Sequence, residues 1–350
     1  MVRTRFVLAC LLAVLAGSVN GAPPRIGRPR PAPPTGSTLP PLPPAEIDDS
    51  LSVEGDEIEA RKVETRLTVE VRVNGRGPYQ FVVDSGADTS VIGVRIAREL
   101  ELPLGTPVIL NSMTDRAIVD RVRVAELTLG PSTIRDLHLP ALRENDVGGA
   151  GMIGIDALVR QRLMMDFEKR LIKVEDASTP WKPMPGEIVV TGRLRRGQLI
   201  LTHVKAGGLS LDAVIDTGSQ ITIGNHALRD RLVRRGRKTQ KVIGTGVTGG
   251  FVEFEVAQIA ELQLGPVTLR NVPMAFADVP PFEMFGLADR PALLLGTDLL
   301  ENFRRVSLDF KARKARFQLR RCTPQNVAIS TSRFGATRLS STGSPEVCGR

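Results

Sequence analysis

Two short stretches could bring carboxylates together. Phe81-Val-Val-Asp-Ser-Gly-Ala87 and Ala213-Val-Ile-Asp-Thr-Gly-Ser219 each run apolar residues into an Asp, a small hydroxyl residue and a Gly. One copy is a common turn sequence. Two copies in matching surroundings describe half-sites that meet, pairing Asp84 with Asp216. Paired carboxylates in a cleft cannot both ionise, so one proton is shared. The charged member can then take a proton from water while the other polarises a carbonyl. Ser85 and Thr217 can tie the two loops by hydrogen bonding. Gly86 and Gly218 are expected to turn the backbone sharply and bring amide N–H groups to the carboxylates.

The elements around these stretches repeat. Leu67, Val69, Val71 and Val73 alternate with polar residues, Asn74-Gly75 signals a hairpin, and Tyr79–Val83 returns into Asp84. Leu199–Val204, Ala206-Gly-Gly208 and Leu209–Ile215 repeat the plan into Asp216. Leu127-Thr-Leu-Gly-Pro131 is answered by Leu262-Gln-Leu-Gly-Pro266, and Met152-Ile-Gly-Ile-Asp-Ala-Leu158 by Leu294-Leu-Gly-Thr-Asp-Leu-Leu300. The second copy is longer, which places an added loop near 280–290. A whole unit has been duplicated.

These residues resemble the aspartic peptidases, with both halves retropepsin-like, over roughly residues 60–320. The resemblance rests on Asp-Ser-Gly-Ala-Asp (84–88), Asp-Thr-Gly-Ser (216–219) and the apolar stretches ending at Gly154 and Gly296. It implies an all-β fold of two similar six-stranded-type β-barrel lobes with the active site at their interface. It also implies an aspartic endopeptidase acting on extended peptide segments, with Asp84 and Asp216 catalytic and Ser85, Gly86, Thr217 and Gly218 supporting them. Ala87, Asp88 and Ser219 are then expected to meet substrate, as are Gly244, Gly246 and Gly249 of a mobile hairpin tip, Ile243–Gly250. The first-half counterpart, Leu110–Asp115, lacks glycines, so the halves should cover substrate unequally. Ser85 stands where the family commonly has Thr, and Gln220 stands opposite Asp88. The one Tyr, Tyr79, precedes Asp84 and is expected to pack. The alternative is an inactive peptide-binding or scaffold protein on the same fold.

Competing chemistries fit less well. Gly244-Thr-Gly-Val-Thr-Gly249 satisfies a dinucleotide fingerprint, but an alternating strand pattern follows where a helix is required. His138, His203 and His226 have no metal-ligand spacing, and no Gly-x-Ser-x-Gly is present. No metal or organic cofactor is expected. Asp156 and Asp298 are expected to cap helices, and Asp166 and Asp309 to be structural or solvent-facing.

Residues 1–22 read as a signal peptide: Arg3 and Arg5, an apolar run from Phe6, then small residues, with cleavage after Ser18, Gly21 or Ala22 all open. The protein is therefore expected to be exported, periplasmic or secreted, with no integral span, although an uncleaved anchor fits the same run. Residues 23–52 are a Pro-rich spacer or a self-removed leader. Residues 53–177 and 187–321 are the lobes, 178–186 a linker, and 322–350 a Ser/Thr-rich tail. Cys322 and Cys348 suit one disulfide in an exported chain. The net charge of +9 concentrates at 229–241 and 311–321, expected as solvated faces without the stacking aromatics a nucleic-acid groove needs. The chain supplies both lobes, so it is expected to act singly on a protein or peptide substrate.

Overall fold

A computed structural model describes residues 25–33, 56–63, 66–130, 132–158, 161–177, 180–233, 239–320 and 328–331. The predicted signal peptide, Cys322 and Cys348 lie outside these residues. Among those described, no helix is long and apolar enough to cross a membrane.

The fold is mostly β, with two closed six-stranded barrels. In the first lobe, strand Arg66–Val73 turns through Asn74 and Gly75, both at positive φ, into strand Arg76–Val83. Alternation decides which face is buried: Leu67, Val69, Val71 and Val73 are all buried. Strands Arg121–Leu129 and Ser132–Leu142 form a long antiparallel hairpin, and Val91–Gly93 and Gly151–Ile153 close the barrel. Gly151–Ile153 lies parallel to Phe81–Val83, directly behind the Asp84 loop. The second lobe repeats this with Gln198–Ala206, Leu209–Ile215, Ile223–Gly224, Phe251–Leu264, Val267–Phe276 and Ala292–Leu295. There Ala292–Leu295 lies parallel to Asp212–Ile215. The sequence landmarks thus mark the same strand crossing in both lobes.

A third sheet joins the lobes. Its order is Asp56–Val63, Leu171–Asp176, Gln161–Asp166, Phe303–Asp309, Lys314–Leu319, Glu187–Arg195, all antiparallel. At its centre the register sets Arg162 opposite Asp309 and Asp166 opposite Arg305, a crossed pair of ion pairs about the local two-fold. Asp166 and Asp309 are fully buried here, so of their two expected roles the structural one holds. Arg316, in the second basic run, is also buried. Its guanidinium and that of Arg162 lie over Trp181, at 4.7 and 4.8 Å from the ring centroid. That run is therefore partly interior. Burial is affordable because Asp309 Oδ2 accepts from both guanidiniums.

Two segments read as spacer and tail contribute strands. Arg30–Pro31 pairs with the first lobe, and Ala328–Thr331 pairs with Val267–Arg270 of the second. Composition misleads here because a Pro-rich edge needs few backbone donors.

Candidate active site

Each dyad loop leaves the end of a buried strand and is fastened from behind. Asp84 N–H donates to Ile153 O at 2.9 Å and Asp216 N–H to Leu295 O at 3.1 Å. The loops then cross-tie each other. Thr217 Oγ1 donates to Val83 O (2.8 Å) and accepts from Ser85 N–H (2.9 Å). Ser85 Oγ donates to Ile215 O (2.9 Å) and accepts from Thr217 N–H (3.2 Å). Ser85 thus does the same work as Thr217, and its missing methyl leaves the hydrogen bonding unchanged.

Within each loop one carboxylate oxygen faces two amides. Asp84 Oδ1 accepts from Gly86 N–H (2.7 Å) and Ala87 N–H (3.1 Å). Asp216 Oδ1 accepts from Gly218 N–H (3.1 Å) and Ser219 N–H (2.9 Å). Both side chains are buried. Burial first, then the neighbouring Asp84 charge, pushes the Asp216 carboxyl well above its ordinary value. The pair therefore holds a proton where isolated carboxylates would have lost theirs.

Gly86 and Gly218 bring their amides to the carboxylates as expected, and they serve a second purpose as well. Neither has positive φ. Each is needed because the opposite Asp lies against it: a Cβ on Gly86 would sit 2.7 Å from the Asp216 carboxyl carbon, and one on Gly218 would be driven into the Asp84 carboxylate. The glycines supply room for the two acids to approach.

Asp156 and Asp298 are not helix caps; Gly154 and Gly296 occupy those positions and no side chain caps either helix. Asp156 instead accepts from Ser90 N–H (2.8 Å), Ser90 Oγ (2.7 Å) and Thr89 Oγ1 (3.2 Å). Asp298 accepts from Thr222 N–H (3.0 Å) and Thr222 Oγ1 (2.7 Å). Each tethers the chain leaving a dyad loop to the supporting strand behind it. Burial pushes both carboxyls up, against the pull of these donors.

A cavity of about 150 Å³ opens over the dyad. Ala87, Asp88 and Ser219 line it, as do Val91, Leu142 and Met152 of the first lobe. Asp88 is also fixed from across the interface by Arg196 Nη2 (3.0 Å) and the Gln198 amide. The cavity roof comes from the first flap, Val108–Asn111 and Arg116–Val119, through Leu110 and Met113. The opposite wall is Val214, Met284 and Phe285, the last two from the added loop, which the sequence located without revealing that it faces the cleft.

Of the second flap only Val247 reaches the cavity; Gly244, Gly246 and Gly249 do not line it. Gly244 lies against the Phe254 ring, Gly246 against Thr114 of the first flap, and Gly249, at φ +82°, beside Arg143. Their small size lets the flaps close on each other. There Ser112 Oγ and Thr248 Oγ1 stand 3.1 Å apart, and both donate to the Asp115 carboxylate. This cross-flap cluster could not be read from sequence, because no pattern links residues 112–115 to 248. Tyr79 packs on the core and donates to Glu99 (3.3 Å).

Among the described residues no cluster of His, Cys, Asp and Glu could hold a metal ion. A family model described as aspartyl protease matches residues 69–157 and 202–299, one match in each lobe and together more than half the chain. No curated protein matches the chain.

Proposed function

The chain belongs to the aspartyl protease family, and from that premise we propose that it is an active aspartic endopeptidase, using Asp84 and Asp216 as one acid–base pair. The observation that carries this reading is the pair itself. Two buried carboxylates from different lobes are cross-tied by Ser85 and Thr217, and Asp216 is held towards its protonated form. In this mechanism ionised Asp84 takes a proton from the attacking water as Asp216 donates to the scissile carbonyl oxygen. The tetrahedral intermediate then collapses, the amide nitrogen leaving with a proton from the pair. The Oδ1 atoms, each engaged by two amides, hold the two carboxyls in place for these proton transfers.

Substrate is an extended peptide segment with apolar residues beside the scissile bond, since Leu110, Met113, Val214, Met284 and Phe285 surround the dyad. One chain provides the whole site, so activity needs no second copy. The pattern of residues 1–22 supports export to the periplasm or beyond, with an exported or envelope protein as the natural substrate.

The purified mature protein should cleave a mixed peptide library, and a statine-containing peptide should block it. Asp84→Asn and Asp216→Asn should each lower kcat by at least about 10³-fold while the far-UV circular dichroism is unchanged. Full activity in either variant overturns the mechanism; tight peptide binding by the wild type without turnover makes the protein a peptide-binding member of the fold.

A further inference from the structure

Residues 26–33 precede the first lobe in sequence, and composition makes them a spacer or a removable leader. In the fold they are built onto the first flap. Ile26 is buried in the main core, and its carbonyl accepts from Arg98 Nη2 at 3.1 Å. Gly27 N–H donates to Asp120 Oδ2 at 2.7 Å, and Asp120 Oδ1 faces Arg30 at 3.7 Å. Arg30 and Pro31 then pair antiparallel with Ile118 and Ala117. Ala32 N–H donates to Arg116 O (3.0 Å), and the Arg116 guanidinium reaches Pro33 O (3.3 Å). The segment is therefore anchored in the lobe at one end and runs along the flap towards its tip at the other.

This pairing makes the first flap a three-stranded sheet, Arg30–Pro31 outermost and Val108–Asn111 innermost. An isolated two-stranded hairpin is marginal in water, so a third strand with a buried anchor changes its rigidity. Pro31 and Pro33 suit an outer edge, where a missing N–H discourages further strands. The second flap differs. Among the described residues Gln240–Thr245 pairs only with Phe251–Leu264, and Ile243 and Phe251 stand exposed at its outer face. Among the described residues one flap is braced and the other is not. The braced one carries Leu110 and Met113 over the dyad.

We propose that residues 26–33 are a brace that positions the first flap for substrate binding, and so belong to the working protein. The second flap is then the one that moves to admit a peptide. The kinetic consequence rests on the peptidase reading; the brace itself does not.

Two full-chain variants test it. Ile26→Asp expels the anchor, and Ala32→Pro deletes one strand hydrogen bond at a half-buried site on the sheet edge. Hydrogen exchange at 108–119 should quicken in both, by roughly 3–10-fold for the loss of one hydrogen bond, with 303–319 unchanged. KM should rise by a similar factor, roughly 3–10-fold, with kcat within about twofold, and Ile26→Val should behave as wild type. Unchanged exchange at 108–119 overturns the brace. Faster exchange with an unchanged KM overturns the positioning role, and a lower KM makes the segment a restraint. Should the wild type turn over no peptide, affinity for a statine-containing peptide replaces KM, so the two readings fail separately.

Discussion

Asp84 and Asp216 are alike in chain context and in their amide donors, and the proton between them is what separates their roles. With Asp216 raised by burial and by its neighbour, the singly protonated pair persists to a higher pH than two free carboxyls would allow. Activity should therefore decline as pH rises through that raised value, when the second proton leaves, and decline again at low pH when both acids are protonated. A kcat/KM profile from about pH 2 to 8 checks this; a rate constant through neutrality with no descending limb would contradict it. Room matters as much as charge. Gly218→Ala puts a methyl where the Asp84 carboxylate lies, displacing it on the scale of an ångström, so kcat should fall by at least about 10²-fold. The variant's folding is checked by circular dichroism. The acids were legible because Asp-Ser/Thr-Gly occurs twice with apolar strands before it. The clearance that the glycines supply was not, since a residue chosen for turning and one chosen for clearance look identical in sequence. Asp88 was legible as a cavity residue, while its partners Arg196 and Gln198 were hidden by more than 100 residues of separation.

The elements behind the dyad are held by a motif that occurs once per lobe. Asp156 with Ser90, and Asp298 with Thr222, tie the strand after each dyad loop to the helical turn after each apolar-Gly stretch. Position before a short helix suggested caps, because a cap and a carboxylate one residue inside the helix are nearly indistinguishable by spacing. The hairpins were easier: Asn74-Gly75 and the Leu-x-Leu-Gly pairs name their turns by residue type. The ties carry a pH signature whose sign follows from the raised native values. The folded protein binds a proton at Asp298 more tightly than the unfolded chain does, starting from an ordinary value of 3.8. The Asp298 contribution to stability is thus greatest below that pH and falls as pH rises towards the native value. Asp298→Asn keeps one acceptor and never ionises. Its destabilisation relative to wild type, about 1–3 kcal/mol for weakened hydrogen bonds to buried groups, should be larger at about pH 3 than at about pH 7. Urea unfolding at both values measures the difference, and an equal or reversed gap would remove Asp298 from the titrating set.

At the scale of the whole molecule, two barrels make one site only if their mutual register is fixed, and the shared six-stranded sheet does this. The duplication was visible in the landmarks, so two lobes were expected; that their trailing strands pair across the interface was not, because apolar alternation does not name a partner. At the centre of the sheet Arg305 Nε meets the fully buried Asp166 at 2.5 Å, mirrored by Arg162 and Asp309 at 3.2 Å. Removing one partner of a buried pair strands the other charge, which costs about 3–5 kcal/mol, whereas replacing both with well-packed neutral side chains is often nearly neutral. Arg305→Ala leaves Asp166 with the Glu168 and Lys169 amides as donors but without its cation. It should lower stability by about that 3–5 kcal/mol, and Asp166→Asn/Arg305→Met should recover most of the loss. Trp181, the one tryptophan, lies against Arg162 and Arg316 on the mirrored side of the same sheet, so its fluorescence reports the interface directly. In a denaturant titration of Arg305→Ala, the Trp181 transition and the loss of peptide cleavage should move together to lower denaturant, because a dyad split between lobes cannot outlast the sheet that aligns them. Cleavage that persists after the Trp181 transition would show that the lobes keep their register by other contacts, and the crossed ion pairs would then be passengers of the interface.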